Sequence, residues 1–94
     1  MKTTTVLIEV YEHEENGAVS RLTDRFILHY NTDKYPTSED FGKHLISLAR
    51  GVARTKGLNF KVELEIKEDT LTTLNLKKKG LDIKTTFVIN SYKI

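Results

Sequence analysis

Three stretches of this chain alternate between apolar and polar residues with a period of two. In residues 4–12, Val6, Ile8 and Val10 fall on one face and Leu7, Glu9 and Tyr11 on the other. In residues 20–30, Leu22, Phe26, Leu28 and Tyr30 oppose Arg21, Arg25, Ile27 and His29. Residues 58–67 are the clearest case: Leu58, Phe60, Val62, Leu64 and Ile66 oppose Asn59, Lys61, Glu63, Glu65 and Lys67. Period-2 runs rich in β-branched and aromatic residues predict strands. Leu74 and Leu76 suggest a shorter fourth strand, and residues 81–92 a fifth with Leu81, Ile83, Phe87 and Ile89 on its core face.

The period changes after Pro36. Thr37-Ser38-Glu39-Asp40 offers a capping hydroxyl and two carboxylates at the positive end of a helix dipole. The helix is expected to run to about Lys56, with Gly57 as a stop. At 100° per residue, Phe41, Leu45, Leu48 and Val52 lie within about 60° of one another and form the expected core stripe. Gly42, Ala49 and Ala53 flank it and would permit close approach to a sheet.

Glu14-Glu15-Asn16-Gly17-Ala18 marks a turn between the first two strands. Asn-Gly often forms a two-residue hairpin loop, but that loop pairs odd positions with even ones and sets Val6, Ile8 and Val10 against a polar face. An odd-numbered loop with Gly17 in a left-handed bulge position keeps even opposite even, and is preferred. Lys77-Lys78-Lys79-Gly80 reads as the turn between strands four and five.

The expected architecture is therefore a single α+β domain over residues 1–94, ordered ββαβββ. One amphipathic helix packs on one face of a mainly antiparallel five-stranded sheet, with strand order 2-1-5-4-3 favoured over 2-1-3-4-5. A hairpin followed by a diagonal helix is also how a β-grasp domain begins, a fold-level analogy that implies no function. One helix cannot cover both faces. Under the favoured order, Leu7, Tyr11, Ile27, Val88, Tyr92 and Ile94 gather on the bare face as one apolar patch.

Composition narrows the function classes. Ninety-four residues form one domain. The absence of cysteine removes disulfides, thiolate metal sites and cysteine nucleophiles, and is compatible with a reducing compartment. No apolar run approaches the roughly 20 residues that span a bilayer, so a cytoplasmic protein is expected. Net charge is +2 but unevenly placed: residues 1–40 hold four basic and eight acidic side chains, and residues 41–94 hold eleven and five.

Candidate chemistry is sparse. Glu12-His13-Glu14-Glu15 concentrates metal-ligand types, but neighbouring strand side chains diverge to opposite faces, so no metal site is expected. His13, His29 and His44 lie on different elements, and no phosphate loop, HExxH or GxSxG is present. No enzyme activity, cofactor or small-molecule substrate is expected. Exposed apolar patches mark protein interfaces, so Leu7, Tyr11, Ile27, Val88 and Tyr92 are the candidate protein-binding residues, for a partner or for a second copy. A small motif-free module of this kind suits an inhibitor, adaptor or assembly subunit, including one encoded by a virus or mobile element. The alternative is a nucleic-acid-binding domain. Lys43, Arg50 and Arg54 fall within about 40° on the helix with Ser47 beside them, and Lys77, Lys78 and Lys79 add charge at a turn.

Overall fold

The computed structural model describes residues 2–14, 20–55, 57 and 60–93. Its elements are β1 (Thr3–His13), β2 (Ser20–Asn31), α1 (Ser38–Thr55), β3 (Phe60–Glu68), α2 (Leu71–Lys78) and β4 (Thr85–Lys93). The four strands form one sheet in the order β2-β1-β4-β3. β1 pairs antiparallel with β2, β3 antiparallel with β4, and the central pair β1–β4 is parallel. The chain is thus a small α+β domain, with four strands and two helices among the described residues. The expected five strands in the order 2-1-5-4-3 are not what it forms.

The difference lies at residues 71–78, where the expected fourth strand is α2. Local chemistry decides this. The Thr70 side chain accepts from the Thr73 N–H as an N-cap. At the other end Gly80 takes φ +92°, its N–H bonds the Lys77 carbonyl at 3.0 Å, and the Leu81 N–H bonds the Leu76 carbonyl at 3.0 Å. That bond pair is a Schellman closure, which glycine favours because it has no Cβ to clash. Lys77–Lys79 therefore terminate a helix rather than turn a hairpin.

In the β1–β2 pair, Val6 opposes Leu28 and Ile8 opposes Phe26, even against even. The expected odd loop falls on residues 15–19, outside the described residues. The described register shows that parity switches within the strands: Val10 pairs with Asp24 but Tyr11 with Leu22. Thr23 is the extra residue, and its hydroxyl donates to the Val10 carbonyl at 3.2 Å.

The main core lies between α1 and the even face of β1. It comprises Val6, Ile8, Tyr30, Phe41, Leu45, Val62, Phe87 and Ile89. Each fully buried apolar side chain here contributes about 1.5–3 kcal/mol. Tyr30 stacks on Phe41 at 4.0 Å and Phe87 meets Phe41 edge-on at 5.5 Å, closing one end of the core. Thr37 caps α1, accepting from the Asp40 N–H at 3.1 Å and donating to the Asp40 carboxylate at 2.9 Å.

The helix is not seated on its expected stripe. Phe41 and Leu45 are buried, but Leu48 is 53% and Val52 54% exposed. Inward-facing positions instead include Gly42, Ile46, Ala49 and Ala53, so α1 is rolled by about 60° from the expected orientation. Gly42 gives the reason. A Cβ there would meet Leu64 Cδ2 at 2.6 Å and Ile66 Cδ1 at 3.3 Å, so α1 approaches β3 along its small residues. Leu22, Phe26 and Leu81, also expected inside, are exposed as well.

Candidate functional site: the groove between α1 and β3

The roll of α1 decides which residues meet. Lys43, Arg50 and Arg54, expected to point away from the sheet, lie instead along the junction of α1 with β3. They line a depression of about 520 Å³ with Ser47, and Ile46, Leu64 and Ile66 supply its apolar lining. A second depression of about 560 Å³ shares Arg50 and Arg54 and continues past Phe60 and Val62, with Lys61 and Glu63 on its rim. Together they make one groove along β3. Lys43 belongs to its Ile66 end, while Arg54 reaches its Phe60 end.

The charges of the groove are unbalanced. Among the described residues Lys43, Arg50 and Arg54 form no ion pair, and Glu39 is the one carboxylate lining the first depression. The opposite face of β3 is self-compensated. Lys61 bridges Glu63 at 2.9 Å and Lys67 bridges Glu65 at 3.5 Å. The hydrogen bond to Glu63 raises the Lys61 pKa above its ordinary value. Beyond β3 no further strand pairs among the described residues, so its outer edge keeps free backbone donors and acceptors beside the groove.

The face expected to be bare is partly covered. Leu7 is 2% and Val88 5% exposed, so neither can serve as a contact residue on the surface. α2 supplies the cover: Thr72 and Leu76 line a small cleft with Leu7 and Ile27, and Thr73 and Ile83 are buried. Ile27 remains 42% exposed on the β2 edge. Tyr11 and Tyr92 are half-buried toward the other end of β1 and β4. Of the six residues expected to form one patch, five are therefore divided between an interior, an edge and a polar end, and Ile94 lies outside the described residues.

That polar end is a hydrogen-bond chain. Asn90 donates to Glu65 at 3.1 Å, which turns its oxygen toward His13 Nε2 at 2.8 Å. His13 Nε2 then carries the proton, and Nδ1 accepts from the Ser20 hydroxyl at 2.8 Å. Tyr92 stacks on the His13 ring at 4.3 Å. The chain joins all four strands side by side. One step along the same face, Arg25 donates to a single Glu9 oxygen at 3.1 and 2.6 Å, and that bond raises the arginine pKa. Glu12 leaves this face and pairs with Arg21 at 3.3 Å, and Glu14 pairs with Lys93 at 3.7 Å, so neither carboxylate converges on His13. Among the described residues no group of His, Asp and Glu is arranged to hold a metal ion, and no helix is long and apolar enough to cross a membrane.

Lys77, Lys78 and Lys79 stand apart from the other cations. They close α2, on the sheet face opposite α1, where positive charge complements the helix C-terminus. Sequence reasoning found the three α1 cations but missed the groove lining, Ile46, Leu64 and Ile66. The signal was present in Gly42, Ala49 and Ala53, whose small size marks the side of closest approach. Compared with known proteins, the chain matches no family model, no curated protein and no solved structure.

Proposed function

We propose that this protein is a non-catalytic protein-binding module, acting as an inhibitor, adaptor or assembly subunit, and that it docks its partner in the groove between α1 and β3. One observation carries the reading. An apolar floor is bordered by cations and by a strand edge that have no partners among the described residues. Apolar lining provides burial, cations provide orientation and faster encounter, and a free edge provides backbone hydrogen bonds. The sheet face first favoured on sequence grounds supports this less well, because α2 occupies much of it.

The nucleic-acid reading gains support from the gathering of Lys43, Arg50 and Arg54 in one depression. It loses support from Lys77–Lys79, which lie across the sheet and cannot follow the same phosphate backbone, and from the apolar floor between the cations.

The test is affinity capture from the native host with the wild-type chain and with Arg50→Glu/Arg54→Glu. Both side chains are exposed, so circular dichroism should show an unchanged fold. A partner retained by the wild type and lost by the double variant supports the reading. Equal recovery with both refutes it. Recovery of nucleic acid alone, released by moderate salt, favours the alternative.

A further inference from the structure

We infer that the groove takes an extended acidic peptide, which adds to the outer edge of β3 as a fifth strand; this rests on the protein-binding reading above. The occupant follows from the spacing of the groove's parts. Along β3, Phe60, Val62, Leu64 and Ile66 share the face toward α1; the residues between them alternate to the other face, with Lys61 and Glu63 also reaching the rim of the second depression.

An added strand would alternate in the same way. Its residues on the α1 side would lie over Val62, Leu64 and Ile46 in the middle and beside cations at the Ile66 and Phe60 ends. Lys43 and Arg54 are eleven residues apart on α1, which is about 16 Å along the helix axis. Six residues of extended strand span about 20 Å. Long lysine and arginine side chains close that difference. A peptide with acidic residues six positions apart and apolar residues between them on one face therefore matches the groove.

Charge selects acid rather than base: in the first depression Lys43, Arg50 and Arg54 face Glu39 alone, and the Lys61 and Glu63 that border the second depression pair with each other. The outward residues of the peptide meet Lys61–Glu63 and Lys67–Glu65, which already neutralise each other, so neutral polar residues suffice on that side. Those two pairs also set like charges opposite each other in the symmetric β3–β3 pairing centred on Leu64. This turns the edge away from a second copy and toward a different partner.

The probe is a capped octapeptide, Glu-Thr-Val-Thr-Val-Thr-Glu-Thr, carrying a fluorophore. Fluorescence anisotropy measures its affinity, and amide exchange measured by NMR reads the β3 backbone. The expected result is saturable binding, with slowed exchange at outward-facing β3 amides. Replacing both glutamates by lysine should abolish binding. Arg50→Glu/Arg54→Glu should weaken it by about tenfold or more, since two charge-assisted contacts are lost. N-methylation at alternate backbone positions, on the side facing β3, should also weaken it by about tenfold or more, because several backbone hydrogen bonds to the strand edge are lost at once.

Equal affinity of the methylated and unmethylated probes overturns strand addition while leaving a side-chain groove, and so the protein-binding reading, intact. Absence of probe binding at millimolar concentration overturns the inference, and cation-dependent capture of a native partner would then show that the broader reading survives. Binding of a single-stranded oligonucleotide to the same residues in place of the peptide overturns both.

Discussion

Two glycines of α1 should respond in opposite directions to the same substitution. Gly42 and Gly51 both lie in the helix interior, where replacing glycine by alanine stabilises by about 0.8–1 kcal/mol through helix propensity alone. At Gly51 nothing lies within 4 Å of a new Cβ, so the full gain should appear. At Gly42 the new Cβ would meet Leu64 Cδ2 at 2.6 Å, and Ile66 Cδ1 and Phe87 Cε1 at 3.3 and 3.6 Å. The Leu64 methyl must give way. It is the end of a half-buried side chain bordering the groove, so relief is available outward, and the cost belongs in the lower part of the usual overpacking range of about 1–3 kcal/mol. Gly51→Ala is therefore expected to stabilise by about 1 kcal/mol, and Gly42→Ala to destabilise by up to about 1 kcal/mol. In thermal unfolding followed by circular dichroism, the two midpoints should differ by roughly 8–16 °C for a gap of about 2 kcal/mol. Displaced Leu64 should also narrow the groove and weaken octapeptide binding in Gly42→Ala alone. Equal stabilisation by both substitutions would refute the close approach of α1 to β3, and with it the roll that brings the cations to the groove.

Three other outcomes are expected. Thr70→Ala removes the N-cap of α2 and should cost about 1 kcal/mol in urea unfolding; a loss under about 0.3 kcal/mol would mean that the cap does not hold the helix. Asn90→Ala breaks the chain from Ser20 to Glu65 and leaves His13 Nε2 without its acceptor, so unfolding should be easier by about 2 kcal/mol, and the His13 ring proton should lose its protection from exchange. The twelve-residue β2 edge exposes Leu22, Phe26 and Ile27 and is the surface we propose for self-association. Concentration-dependent mass in light scattering should be abolished by Ile27→Lys and unaffected by Arg50→Glu, and a monomer at every concentration would remove the homodimer from consideration.

Strands were legible wherever a sheet face is buried on one side, because alternation follows directly from that geometry. Val6, Ile8, Val62, Phe87 and Ile89 all lie on the face their period predicts. α1 was legible for the same reason at a different period, but its rotation was not. A hydrophobic stripe gives the direction of greatest apolarity, whereas seating depends on how closely the backbone can approach, and Gly42 settles that. α2 was misread because Leu74 and Leu76 alternate like a strand over a window too short to distinguish the periods. Its ends carried the information instead, in the Thr70 cap and in the lysines before Gly80. The groove was half legible: its cations stood out, while its floor combines Leu64 and Ile66 from a strand with Ile46 from a helix, and no local pattern joins those.

The parallel pairing of β1 with β4 has a consequence for how the chain comes to be folded. Leu7 pairs with Thr86 and His13 with Tyr92, each pair 79 positions apart. Closing such a separation costs about 4 kcal/mol in chain entropy beyond a constant, which only the completed sheet can offset. During synthesis at about 5–20 residues per second, β1 and β2 emerge roughly 3–12 s before β4 is finished. Throughout that interval Val6 and Ile8 lack the strand that seals them, and β3, once made, waits about 1–5 s for its neighbour. Folding is then governed by a late, non-local step. The nascent chain spends seconds with adhesive edges open to whatever surrounds the ribosome.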